Sequence, residues 1–250
     1  WIVGAPGRGL NAMFVMMNAA RLHVALQGIG LLDAAWQKAD AYSKERRQMR
    51  APGARETSLI QDHPAMRRIL DTQRAWIDGG RVLAYRTALE LDLLKHHPDS
   101  ALRDAAQRWC SLVTPVLKAA WTDQAFHGAS ACLQVFGGHG YIREWGIEQI
   151  VRDARVSMIY EGTNEIQAID LLVRKVLADG GTGMNALLDT IASDLPQEAK
   201  ASTAATARIQ TLRAVTEQIV KAAPQDAALA FRVADDYLRA VALVLMDWAW

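Results

Sequence analysis

The stretch DHPAMRRILDTQRAWIDGGRVLAYRTALELDLLKHHPDS, residues 62–100, decides the fold class. Ile69, Leu70, Gln73, Trp76, Ile77, Leu83, Ala84 and Leu91 recur there at intervals that add in steps near 3.6. That period puts them on one stripe of a helix, whereas a half-buried strand would alternate every second residue. Pro64 suits a first helical turn, with Asp62 as its expected cap. The pattern runs to about His96, HHPDS breaks it, and Ser100 is the expected cap of a third long helix.

The same period extends outward in both directions. Upstream, Leu10, Met13, Phe14, Met17, Val24, Leu31 and Ala35 predict a helix near 8–47, bounded by the GAPGRG loop and the MRAPGARETS break. Downstream, Trp109, Leu112, Val113, Val116 and Ala119 predict a helix over 100–135, with a kink at Pro115. GGHGY (137–141) interrupts the pattern, a short helix follows around 148–155, and another is expected over 161–177. No run shows sustained β alternation. Helices of about 30 residues joined by short loops point to an all-α, antiparallel up-down bundle over residues 1–178. After the flexible ADGGTGMN (178–185) the chain turns alanine-rich and polar. Residues 179–250 read as a second helical module, with helices around 186–194, 199–222 and 226–250.

Composition narrows the function. Hydrophobic residues make up 51% and charged residues 22%, an ordinary globular balance. Lys and Arg number 28 against 27 acids, which speaks against a nucleic-acid partner. Cys110 and Cys132 stand apart without metal-ligand spacing; they read as core residues of a cytoplasmic protein. Asn18, Arg21, His23, Gln27 and Asp33 interrupt the apolar run of the first helix, so membrane insertion is not expected. Trp1 at the start and an uncapped apolar run at the end suggest a piece of a longer, truncated protein. Trp36, Trp76, Trp109 and Trp121 are expected in the core, and His63, His127 and His139 in structural roles.

One acid stands out. SMIYEGTNEIQ (157–167) puts Glu161 between an aromatic ring and a glycine, just before a helix that Thr163 or Asn164 can cap. Taken alone, Glu161 reads as a helix-start acid favoured by the macrodipole. Its neighbours change that reading. YSKERRQ (42–48), HPAMRRIL (63–70), LQVFGGHGYIREWGIEQIVRDARV (133–156) and IYEGTNEIQ (159–167) follow in an order that resembles the C-terminal domain of acyl-CoA dehydrogenases. MMNAARLHVALQGIG and RRQMRAPG are similar to the large bacterial members with an extra C-terminal domain, the methylmercaptopropionyl-CoA dehydrogenase type.

The resemblance implies FAD as cofactor, an acyl-CoA as substrate, and an electron-transfer flavoprotein as acceptor in a homodimer or homotetramer. It implies that Glu161 takes the α proton while flavin accepts the β hydride, with the backbone N–H of Glu161 holding the thioester oxygen. In some relatives the base sits on the first helix, where this chain has Ala20. Tyr160 and Gly162 would wall and clear the substrate site, and Asn18 and Arg21 would contact substrate, although Arg21 in an apolar setting equally needs a structural partner. Arg46, Gln48, Gln134, Gly137 and Gly138 match positions that reach a flavin dinucleotide, and Thr163 and Glu165 match positions near the flavin. Met49-Arg50 replaces the family's Phe-Gly, which leaves the local loop shape open. The resemblance also implies that this piece is inactive without N-terminal helical and β domains. An acyl-CoA oxidase, or a non-catalytic relative of the same fold that assembles or binds nucleic acid, are the competing readings.

Overall fold

The computed structural model describes residues 4–195 and 200–250, with the side chains at 10–12, 14, 15, 18 and 200–202 outside the description. The chain is all-α. The long helices are α1 (Gly9–Glu45), α2 (Pro64–His96) and α3 (Ser100–Val135), the last running through Pro115. Then come α4 (Ile147–Ser157), α5 (Asn164–Leu171), a π-helical turn (Leu172–Val176), α6 (Thr182–Asp194), α7 (Lys200–Ala222) and α8 (Leu229–Ala249). Among the described residues no strand forms; Arg47 and Leu59 make an isolated antiparallel bridge.

The backbone divides into two compact units, and α1, α2 and α3 each run through both. The first, Leu26–Arg81 with Trp121–Tyr160, is the Trp121 unit. The Trp121 indole is fully buried, and its Nε1–H donates to the Trp76 carbonyl at 3.0 Å. A Cβ at Gly80 would lie 2.0 Å from that nitrogen, and one at Gly28 would lie 3.0 Å from the Trp121 carbonyl oxygen. Gly80 lets its helix approach the ring, whose burial is worth about 3–5 kcal/mol by truncation, and Gly28 lets α1 approach the α3 backbone. Ala35, Ala39, Leu70, Ala129, Cys132, Phe136 and Ile147 build the adjoining core. The 46–62 excursion is pinned by Gln48 N–H to Ser58 O (3.1 Å) and Ile60 N–H to Arg46 O (2.9 Å). Met49 adopts φ +59° there, which answers the question raised by Met49-Arg50.

The second unit, Trp1–Ala25 with Val82–Ala120 and Glu161–Trp250, is the Glu161 unit. In it α8 packs on α5, the π-helical turn and α7. Leu171, Leu172, Met184, Leu188, Ile191 and Leu245 are buried, as is Cys110. Residues 179–250 fall in the same unit as the segment that precedes them.

Several local expectations shift. Asp62 accepts the Leu59 N–H (3.2 Å) and so closes the short turn before α2, not α2 itself. Asp99, not Ser100, caps α3 by accepting the Ala101 N–H at 2.9 Å. Met13 is exposed, and the buried side of α1 follows Leu22, Ala25, Ile29, Leu32, Ala35 and Ala39. Trp109 and Trp121 are core residues, but Trp36 and Trp76 are only half-buried. The helix expected over 161–177 starts at Asn164, because Glu161 and Gly162 leave the helical region.

Candidate functional site

Glu161 sits on a strained turn. Its φ is +56° and that of Gly162 is +84°, so consecutive residues occupy the left-handed region. Glycine enters that region freely, whereas a glutamate there costs on the order of 1–3 kcal/mol and persists only when its surroundings fix it. A Cβ at position 162 would also fall 2.7 Å from Gln167 Nε2.

The surroundings that fix it come from behind. Gln167 Nε2 donates to the carbonyls of Glu161 (3.1 Å) and Gly162 (3.4 Å). Lys118 Nζ, on α3, donates to the Gly162 carbonyl at 2.7 Å and to Asn164 Oδ1 at 2.9 Å. Asn164 Nδ2 reaches on to the Ala119 carbonyl (3.2 Å). Thr163 accepts the Ile166 N–H and caps α5, as its position suggested. Lys118 is wholly buried, and burial, then the neighbouring Arg21 guanidinium, pulls its ammonium down to about 8, against the attraction of Glu165 and Glu161. By contrast, no described residue forms a hydrogen bond or ion pair with the Glu161 carboxylate, and none accepts from its backbone N–H.

Arg21 is buried and paired with Asp170 at 3.0 Å, with Arg174 3.7 Å from the other carboxylate oxygen. Asp170 therefore supplies the partner that an arginine on an apolar helix face requires. The Nε of Arg21 and the Oε1 of Gln167 are buried without a partner among the described residues. Asn18 lies on α1, but its side chain is outside the described residues. Glu165 is exposed on the first turn of α5.

The Trp121 unit holds a second group. Arg46, Gln48, Gln134 and Gly137 line one cleft of about 330 Å³, together with Tyr42, Met49, His63 and Phe136. Arg46, Gln48 and Gln134 are exposed, and no described residue forms an ion pair with Arg46. His63 Nε2 shares a hydrogen bond with the Gln48 carbonyl (2.9 Å), which fixes the loop. Tyr42 stacks on Phe136 at 4.4 Å and bonds His139 Nδ1 at 2.9 Å, while His139 stacks on Trp145. Gly138 does not line the cleft. A Cβ there would meet nothing within 4 Å, whereas one at buried Gly140 would lie 2.6 Å from the Leu133 carbonyl oxygen. Tyr160 is 37% exposed and its hydroxyl donates to Gln27 Oε1.

Lys118, Gln167 and Asp170 were not among the residues expected at the site. A signal existed for Lys118: a lone charge inside the apolar run Val113–Ala120 needs an internal partner. Among the described residues there is no cluster of His, Cys, Asp and Glu that could hold a metal ion, and no helix long and apolar enough to cross a membrane.

Residues 7–177 match the family model described as the acyl-CoA dehydrogenase C-terminal domain. The 3-methylmercaptopropionyl-CoA dehydrogenase of Ruegeria pomeroyi is 41% identical over 207 residues, 82% of this chain and 35% of that protein. The chain thus spans about a third of that relative. The structure of Caenorhabditis elegans ACDH-11 in complex with C11-CoA matches with a TM-score of 0.79 at 23% identity, over 99% of this chain and 42% of the other. An acyl-CoA dehydrogenase from Bacillus anthracis complexed with FAD matches with a TM-score of 0.73 at 18% identity, over 97% of this chain and 43% of the other. At those identities the two structures speak for the fold alone.

Proposed function

Because the chain belongs to the acyl-CoA dehydrogenase family, we propose that it is the C-terminal part of an FAD-dependent enzyme that oxidises an acyl-CoA to its trans-2-enoyl-CoA, with Glu161 as the base. One observation carries the reading. Glu161 offers a carboxylate and a backbone N–H that no described residue uses, on a turn that Lys118 and Gln167 hold by its carbonyls. The carboxylate takes the proton from Cα, and the N–H donates to the thioester oxygen as charge gathers there. Gly162 keeps the turn free of a side chain that would press on Gln167.

FAD, held at the cleft, would supply the acceptor for the hydride from Cβ. The cleft residues fit such a group: Arg46 supplies a guanidinium suited to a diphosphate, Gln48 and Gln134 supply amides, and Gly137 adds no side chain. The chain's role in a larger enzyme, with an electron-transfer flavoprotein as acceptor and a dimeric or tetrameric assembly, belongs to the same proposal. So does its inactivity when separated from N-terminal domains.

The test is Glu161→Gln in the whole flavoprotein that contains this chain. Flavin stays bound, because the side chain keeps its size and a polar end. Anaerobic flavin reduction by acyl-CoA slows by about 10²–10⁴. A helix-start acid would instead cost about 0.3–1 kcal/mol of stability and leave turnover nearly normal.

A further inference from the structure

We infer that Lys118 is a positioning residue for the base: its buried ammonium locks the left-handed Glu161–Gly162 turn from behind by binding the Gly162 carbonyl and the Asn164 side chain. The inference rests on the reading of Glu161 as the base, and goes beyond it by assigning what sets the base's direction.

Three observations carry it. First, the backbone at Glu161 sits where a residue with a Cβ does not rest unaided. Second, the contacts that hold it converge on the carbonyls of residues 161 and 162 and not on the carboxylate. They fix the backbone while leaving the acid available. Third, Lys118 joins separate parts of the unit. Its side chain leaves α3 fully buried, its head spans 44 residues of sequence to Gly162, and Asn164 ties the start of α5 back to the Ala119 carbonyl on α3. The α5 start and the turn before it are thereby held against α3 through the ammonium and the Asn164 amide.

The chemistry of the group supports a positional role. A fully buried ammonium is costly, and burial beside Arg21 pulls this one far below an ordinary lysine. An apolar side chain of the same length would fill the space without that cost. It would also leave the Gly162 carbonyl only the 3.4 Å contact from Gln167, and the left-handed turn less firmly held. Displacing a reacting group by about 1 Å can cost about 10²-fold in rate.

The experiment uses the whole flavoprotein with Lys118→Met, Glu161→Gln and the double variant. Lys118→Met is expected to slow flavin reduction by about 10²-fold and to leave acyl-CoA affinity within about threefold, well below one decade of binding. Amide hydrogen exchange over 158–166 should speed up. In the Glu161→Gln background, Lys118→Met should slow reduction no further, because residues acting through one group are not additive. Should Lys118→Met fail to bind flavin, Lys118→Gln, which keeps an amide donor but not the charge, is held to the same criteria. The inference is overturned if the Lys118 variant reduces flavin within about threefold of wild type, if its loss adds in full to that of Glu161→Gln, or if exchange over 158–166 is unchanged. Normal turnover of Glu161→Gln alone would instead overturn the base assignment, so the two failures are distinct.

Discussion

The Glu161 turn and the Arg46 cleft are built in opposite ways. The turn is wired from inside: Lys118, Gln167 and the Arg21–Asp170 pair are buried, and Lys118 Nζ, Gln167 Nε2 and Arg21 Nη1 each bond to a protein partner. The cleft is open: Arg46, Gln48 and Gln134 are exposed, and its wall is made of aromatic and aliphatic side chains, Tyr42, Phe136, Ile60 and Met66 among them. A group that must take a proton at one atom needs its direction fixed, and buried hydrogen bonds fix direction. A site for a large anionic group needs donors left over, and exposed side chains provide them. The contrast predicts that substitutions behind the turn disturb stability as well as function, whereas substitutions at the cleft rim leave folding alone.

The largest effect should come from the ion pair. Asp170→Asn leaves the Arg21 charge buried without its counter-ion, and such a break costs about 3–5 kcal/mol. At the cleft, Arg46→Gln removes an exposed charge and should stay within about ±0.5 kcal/mol. Urea midpoints of the two variants measure the difference directly, and equal midpoints would dissolve the contrast.

A smaller effect separates two glycines beside the cleft. Gly140→Ala forces a Cβ to 2.6 Å from the Leu133 carbonyl oxygen, a backbone atom that cannot swing away. Overpacking of that kind costs about 1–3 kcal/mol. Gly138→Ala meets nothing and should be close to neutral in thermal unfolding. The reverse order would mean that Gly138, not Gly140, is the position where space is demanded.

A third effect is a pH slope. Lys118 is drawn down to about 8 by burial and by Arg21, from an ordinary value of 10.5. Between those values the unfolded chain binds more protons than the folded one, so this group makes stability rise with pH over that window. Below about 8 the cost of burying the charge is fully felt, and above 10.5 it is gone. Urea unfolding at pH 8 and pH 10 should show the rise in wild type and a shallower one in Lys118→Met. A residue kept at such a cost is doing something that stability does not reward, which fits a positional role.

The bundle was legible because the period of α2 and α3 is long and clean. Leu70, Ile77, Leu83, Val113 and Val116 are all buried as their spacing required. The caps were less legible: Asp99 and Ser100 are both good cap residues, and only the backbone path decides between them. Arg46, Gln48, Gln134 and Gly137 gather at one cleft, but the repeated glycines of GGHGY give no hint which one lies against a neighbour, and only the backbone path singles out Gly140. The wiring of the turn was the least legible part. Lys118 and Gly162 lie 44 residues apart, and no local pattern announces a hydrogen bond across that distance.

The role proposed for Glu161, moving the α proton, can be separated from hydride transfer. It is tested most directly with an acyl-CoA that carries no hydrogen on Cβ, so that proton removal can proceed while hydride transfer cannot. In D₂O, the whole flavoprotein should exchange the Cα hydrogens of this thioester, followed by NMR. Glu161→Gln should slow that exchange by about 10²–10⁴ with the thioester still bound. Exchange within about threefold of wild type, far short of the loss of a general base, would contradict the claim and return Glu161 to the role of a helix-start acid.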